Sequence, residues 1–158
     1  MSAVAKQDTA DLLGMLAAFS PGIQAIALEL RSFVWDRYPT SNELIYDGPV
    51  ALAFGFSTTD RAGDVFCSIA IYGNKDVQFG FTKGEVLNDP RRLLEGEGKH
   101  WRYIRVNDLA AFPRDYAEQL LSESYDNSLQ TAKIPEKAPL GQTIVKATSS
   151  KKRRPQKA

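Results

Sequence analysis

The sequence predicts an α+β domain in which an antiparallel β-meander of about five strands is packed by N-terminal and C-terminal helices. Two helical patterns open the chain, several apolar strand patterns separated by short turns follow, and one further helical pattern comes after them. Strands joined by short turns pair as antiparallel neighbours. The helices that flank such a meander bury their apolar sides against one face of the sheet.

The N-terminal helices are predicted from capping residues and apolar spacing. Asp8 or Thr9 caps a first helix, which carries leucines on one side. Ser20 and Pro21 mark the start of a second helix, because serine accepts hydrogen bonds from first-turn amides and proline loses none at that position. This helix ends near Arg37, since a proline two residues later disfavours the helical backbone before it.

The strands are predicted where apolar and β-branched residues run between turn residues. They cover residues 43–46, 50–56, 65–72, 77–81 and 101–106. Gly73 and Asn74 indicate a hairpin turn between the third and fourth strands. Residues 91–95 are expected to form one helical turn after Pro90. Pro113 opens a final helix that reaches about Leu129.

The domain is predicted to span residues 8–130, and residues 131–158 are predicted to be a disordered basic tail. The tail is rich in Lys, Pro, Ser and Thr and has no apolar periodicity, so it buries too little surface to offset its ordering entropy. From Lys133 onward there are eight Lys or Arg and one Glu, a net charge of +7. Because the whole chain carries +1, residues 1–132 carry −6.

These charges and the composition narrow the classes of function. An acidic body does not suit a nucleic-acid interface, so only the tail offers one, through the Lys151–Arg154 run. A single cysteine excludes an intramolecular disulfide. No apolar window approaches the length of a membrane span, and the N-terminus lacks the pattern of a signal peptide, so we expect a cytoplasmic protein. An exposed edge strand makes a homodimer possible.

Most candidate binding residues lie between Lys83 and Arg105, where seven basic side chains fall within 23 positions. The glycines around Glu97 turn backbone amides toward an anion, with a lysine nearby as a point charge. The predicted ligand-binding set is Lys83, Arg91, Arg92, Gly96, Gly98, Lys99 and Arg102. The alternative is a solvated face whose basic side chains pair with neighbouring carboxylates: Glu85, Asp89, Glu95 and Glu97.

Catalysis has weaker support in the sequence. His100 is a lone general-base candidate without an evident orienting partner, and no nucleophile motif accompanies it. Cys67 lies within an apolar strand and is read as a small buried hydrophobe. One histidine and one cysteine do not make a structural zinc site. We therefore expect a non-enzymatic protein without a bound cofactor.

One long pattern resembles a known family. It reads Gly80-Phe81-x-x-Gly84-x-x-Leu87-x-Asp89-Pro90-x-x-Leu93-Leu94-x-Gly96-x-Gly98-Lys99-x-x-Arg102-Tyr103-Ile104. This pattern is similar to the signature of the YdhG-like family, a domain family of unknown function, and the similarity extends over roughly residues 20–128. The resemblance implies a small cytoplasmic α+β fold.

The resemblance also frames two functional hypotheses. The first is a non-enzymatic binding module for a small anionic ligand or a protein partner, in which Arg102 is the bidentate anion contact and Lys99 a point charge. The second follows from one branch of the family, which is described as frataxin-like iron chaperones for iron–sulfur cluster or haem assembly. In the matching helix, Glu29 and Asp36 are the carboxylates that iron binding would use. A small enzyme that uses His100 ranks last.

Overall fold

The computed structural model describes residues 9–73 and 76–148. They form an α+β domain with three helices and a mixed six-stranded sheet that is mostly antiparallel. The helices are α1 (Thr9–Leu16), α2 (Pro21–Arg37) and α3 (Arg114–Thr131). The strands are β1 (Asn42–Asp47), β2 (Ala51–Ser57), β3 (Val65–Tyr72), β4 (Asp76–Phe81), β5 (Arg102–Arg105) and β6 (Thr143–Thr148).

The sheet has the strand order β5-β4-β3-β2-β1-β6. The first five strands form the predicted antiparallel meander, in which each strand pairs with the next along the chain. The sixth strand lies parallel to β1 at one edge, with Leu44 opposite Ile144. A parallel pair requires a long connection. Here four strands, β2 to β5, and helix α3 lie between the two partners in sequence, so β6 joins the sheet only after α3.

Helix α2 begins and ends as its sequence predicts, whereas α3 begins one residue after Pro113 and ends two residues after Leu129. The Ser20 side chain accepts a hydrogen bond from Ile23 N at 3.4 Å, and Pro21 opens α2. The helix ends at Arg37, as predicted. In the part of the chain that the structure describes, no helix combines the length and the apolar character that crossing a bilayer requires.

The core lies between the helices and one face of the sheet. Alternate residues of β2, β3 and β4 point into it, and the helices contribute the opposite wall. Phe33 of α2 contacts Phe79 and Phe112 edge-to-face, with ring centroids 5.8 and 5.3 Å apart. Cys67 is fully buried in this core, and burial raises the pKa of its thiol well above the usual value. Its prediction as a small buried hydrophobe is confirmed.

The prediction of a disordered tail from residue 131 is wrong for residues 143–148, which form β6. Most β6 side chains are partly or fully exposed, and the strand is held by main-chain pairing with β1. Such a strand needs no apolar periodicity, which is why the composition did not reveal it. The basic run from Lys151 to Arg154, the capping candidate Asp8 and the turn residue Asn74 lie outside the described residues.

A buried polar cluster fixes the start of β6. Glu43 is fully buried and accepts two hydrogen bonds from Arg31 of α2, at 2.7 and 2.9 Å. Thr143 Oγ1 donates a third hydrogen bond to Glu43, at 2.8 Å. Asn42 completes the cluster, since its amide donates to Pro139 O at 2.8 Å. This cluster ties α2, β1 and β6 into one unit.

The predicted helical turn at residues 91–95 is absent, and a loop takes its place. The Asp89 carboxylate accepts hydrogen bonds from Leu93 N and Leu94 N, both at 3.0 Å. Arg92 has a positive φ of 53°, which a right-handed helix does not allow. Side-chain capping by Asp89 therefore replaces the helical hydrogen bonds here.

Candidate functional site

A cavity of about 380 Å³ lies between the C-terminal half of α3, the start of β3 and the turn that follows β4. Its lining mixes one cation, one carboxylate, two side-chain amides and two valines. These side chains are Lys83, Glu123, Asn127, Gln130, Val65 and Val86. Ligand sites in proteins commonly have volumes of about 300–1,000 Å³. The cavity is therefore large enough for a small metabolite.

The wall on the α3 side is held by hydroxyl groups that already have partners. Ser124 Oγ donates to Phe66 O, and Ser128 Oγ donates to Asp64 O at 2.7 Å. Ser128 Oγ also lies 2.8 Å from Thr58 Oγ1. These bonds fix the helix against β3 and its preceding turn. They also commit the serine hydroxyls to the scaffold, which leaves the other polar side chains to face a ligand.

The side-chain ammonium group of Lys83 has no hydrogen bond or ion pair with any described residue, although Lys83 lines the cavity. Glu123 accepts a hydrogen bond from Asn88 N at 3.0 Å through Oε1 only. The side-chain amides of Asn127 and Gln130 likewise have no partner among the described residues. Among the residues that the structure describes, the cavity therefore presents one free ammonium group, one free carboxylate oxygen and two free side-chain amides.

The position of Lys83 depends on a close approach between two segments of backbone. A single turn of 3₁₀ helix, Gly84–Val86, follows Lys83, and the amides of Gly84 and Glu85 donate to His100 O at 2.8 and 3.3 Å. A Cβ atom on Gly84 would lie 2.5 Å from the Cβ of Arg102. Only glycine fits at this crossing. The turn is thereby pinned beside β5, with Lys83 at the cavity.

Arg102 lies on the other side of that turn, beside a smaller cavity of about 160 Å³. Its Nη1 donates to Gly98 O at 2.6 Å and to Trp101 O at 2.8 Å. Part of the guanidinium is therefore occupied in holding the loop before β5. The carboxylates of Glu85 and Asp89 line the same cavity. The role of Arg102 as a bidentate anion contact stays a prediction.

The remaining predicted residues lie along the same loop. The guanidinium of Arg91 lies 4.9 Å from the ring centre of Tyr116 on α3. Arg92 and Lys99 are exposed. Gly96 has φ +127°, a conformation that favours glycine, and nothing lies near the space that a Cβ of Gly98 would occupy. The structure thus divides the predicted set, with Lys83 at the larger cavity and Arg102 at the smaller one.

The alternative interpretation, paired surface charges, holds for part of the basic cluster. His100 Nδ1 lies 3.1 Å from the Glu85 carboxylate. Arg105 Nε lies 2.8 Å from Asp76, and Arg105 Nη1 lies 3.9 Å from Glu95. In all three pairs the basic side chain is exposed, as is typical of a solvated face. Lys83, in contrast, is not paired in this way.

Asp89 anchors the loop to α3. Its carboxylate accepts a hydrogen bond from the Tyr116 hydroxyl as well as from two loop amides. Burial raises the pKa of Asp89, but the hydrogen bonds from Tyr116, Leu94 and Leu93 outweigh it, so the pKa lies below its usual value. The carboxylate form of Asp89 therefore stabilises the loop.

The two predicted iron ligands are exposed on α2. Glu29 lies 3.5 Å from Nη2 of Arg114, and Asp36 is exposed one residue before the helix ends. The described residues include no group of three or more His, Cys, Asp or Glu side chains that could hold a metal ion. The iron interpretation stays a prediction.

No protein-family model, curated protein or solved structure matches this chain. The resemblance to the YdhG-like family therefore rests on the residue pattern from Gly80 to Ile104 and stays a prediction. The structure establishes the α+β class with its mixed sheet.

Sequence reasoning missed the α3 side of the cavity. Glu123, Asn127, Gln130 and Thr131 follow one another at spacings of four, three and one residues, which places them along one side of the helix. In sequence this stripe looks like an ordinary solvent-exposed face. The signal that separates it from such a face is spatial, because only packing against the turn after β4 closes the cavity.

Proposed function

We propose that this protein is a non-enzymatic binding module, of the YdhG-like type, that holds a small ligand in the cavity between α3 and the turn after β4. An anionic group of the ligand contacts Lys83. The observation that carries the proposal is the lysine ammonium that lines a 380 Å³ cavity and has no partner among the described residues. An unpaired cation beside neutral donors is a favourable site for an anionic group.

Binding, and not catalysis, is favoured by how the hydroxyl groups are used. Ser124 and Ser128 at the cavity donate their protons to main-chain carbonyls. His100, the only histidine, pairs with Glu85 on the exposed loop. Neither arrangement gives a nucleophile beside a general base, which is the geometry that nucleophilic catalysis needs.

The proposal is tested with a panel of small carboxylates and phosphates, screened by thermal shift and followed by calorimetry. We compare the parent protein with Lys83→Met, which keeps the unbranched shape and most of the length of the side chain and removes its charge. A charge-assisted hydrogen bond contributes about 1.5–3 kcal/mol, so we expect affinity for bound anions to fall roughly 10- to 100-fold.

Lys99→Met is the matched control, because Lys99 is an exposed lysine outside the cavity. We expect this variant to bind the same compounds with unchanged affinity. If Lys99→Met weakened binding and Lys83→Met did not, the ligand would sit at the basic loop, and the proposal would be wrong. Equal affinities in the parent and both variants would exclude both positions.

A further inference from the structure

We infer that the ligand of this cavity is a small zwitterion, an amino acid or dipeptide with an aliphatic side chain. The inference rests on the proposed function and narrows it to one chemical class. It comes from the arrangement of opposite charges in one cavity, since Lys83 comes from the turn after β4 and Glu123 comes from α3. A ligand that carries both an ammonium and a carboxylate group satisfies both side chains.

The two charged side chains do not neutralise each other. Lys83 and Glu123 line the same cavity but form no ion pair. Glu123 also keeps one carboxylate oxygen, Oε2, without a hydrogen bond among the described residues, since Asn88 N binds Oε1. A ligand ammonium group is the donor that this oxygen accepts best.

Ligands with a single sign of charge fit the cavity less well. A simple anion such as phosphate meets Lys83 but also faces the like charge of Glu123, which repels it. A simple cation contacts Glu123 favourably but is repelled by the like charge of Lys83. A zwitterion places each group beside its opposite and adds no net charge, so both contacts are favourable.

The rest of the lining matches the remainder of such a molecule. The amides of Asn127 and Gln130 each offer donors and an acceptor, which suit the N–H and C=O of a peptide bond. Val65 and Val86 add apolar surface, and Val86 is 62% exposed. An aliphatic side chain covers this surface and gains from its burial.

The test uses glycylleucine and two derivatives that each lose one charge. N-acetyl-glycylleucine lacks the ammonium group, and glycylleucinamide lacks the carboxylate. Binding is measured by calorimetry on the full chain. We expect saturable binding of glycylleucine and at least roughly tenfold weaker binding of each derivative, because each loses one charge-assisted contact.

Two cavity variants test which side chain recognises the ammonium group of the ligand and which recognises its carboxylate group. In Glu123→Gln, whose amide oxygen still accepts from Asn88 N, we expect glycylleucine to lose its advantage over the acetylated form. In Lys83→Met we expect it to lose its advantage over the amidated form. Glu97→Gln, an exposed carboxylate outside the cavity, is the control and keeps all three affinities.

The possible results separate the two proposals. If the acetylated dipeptide bound as tightly as glycylleucine, and Lys83→Met abolished both, the zwitterion inference would be wrong and the cavity would still bind anions. If binding were unchanged in both cavity variants, the cavity itself would be excluded. No saturable binding of glycylleucine would overturn the inference, and the carboxylate and phosphate panel would then decide the proposed function.

Discussion

Removing the Glu43 carboxylate tests whether the C-terminal strand is part of the folded domain. In Glu43→Ala the buried Arg31 guanidinium loses a bidentate partner at 2.7 and 2.9 Å, and Thr143 Oγ1 loses its acceptor. Arg31 retains its position 4.7 Å from the ring centre of Trp35, which does not replace a carboxylate. The variant therefore removes both hydrogen bonds that join this buried guanidinium to Glu43.

The expected cost follows from this burial. Glu43 is fully buried, and the Arg31 side chain is 11% exposed. Breaking a buried ion pair by removing one partner costs about 3–5 kcal/mol. A domain has a total stability of about 5–15 kcal/mol, so the variant should lose a large part of it. Replacing both partners, as in Arg31→Met with Glu43→Leu, should recover most of that loss.

The assay is urea denaturation followed by tryptophan fluorescence, with hydrogen exchange to follow the β6 amides. Glu118→Ala is the matched control, because it removes an exposed carboxylate that lies 2.9 Å from Arg37. Exposed pairs contribute about 0–1 kcal/mol. If Glu43→Ala cost no more than Glu118→Ala, the buried cluster would not stabilise the domain, and the place of β6 in it would be in doubt.

Three further predictions address the sheet, the loop and the iron alternative. Gly80→Ala should destabilise the fold by about 1–3 kcal/mol, because its Cβ would lie 2.4 Å from the Trp101 ring; denaturation at wild-type urea concentrations would contradict this. The pKa of Asp89 is lowered by folding, so its contribution is present above the unfolded value of about 3.9 and is lost as pH falls through the folded value. Asp89→Asn should therefore flatten the acid limb of the stability profile, and an unchanged limb would exclude this role. The iron alternative predicts saturable ferrous binding by calorimetry that weakens when Glu29→Gln and Asp36→Asn are combined, and binding that this double variant leaves intact would discard these ligands.

The local signals of the sequence predicted most of the meander and its helices. The Ser20-Pro21 start placed α2 at the residues where it is found, and the apolar run of β3 matched at both ends. Both depend on interactions within a few residues. Such features can be predicted because capping and alternation act along the chain itself.

The features that the sequence did not predict depend on distant partners. β6 is recognised only by its pairing with β1, about 100 residues earlier, and Thr143 is its one buried side chain. The loop at residues 91–95 avoids a helix because Asp89 is held by Tyr116 of α3. Secondary-structure propensity depends on residues that are close in sequence, so it does not reveal contacts between residues that are far apart in the chain.

Only one side of the candidate site was predicted from the sequence, because the other side depends on contacts between distant residues. Lys83 was found because it belongs to a cluster of basic residues in sequence. Glu123 and Asn127 were not, since only the packing of α3 against the turn after β4 turns a polar helix stripe into a cavity wall. Arg102, which follows Lys99 by three positions in sequence, lies on the other side of that turn from the cavity.

A map of amide chemical shifts, recorded as the tightest-binding compound of the carboxylate and phosphate panel is added, shows directly where the ligand binds. We expect the largest changes at the cavity, at Val65, Val86 and Asn127, and we expect Lys83→Met to remove them. Chemical-shift changes centred on Gly98 and the neighbouring basic loop, without changes at the residues that line the cavity, would contradict the proposal that the ligand binds in the cavity.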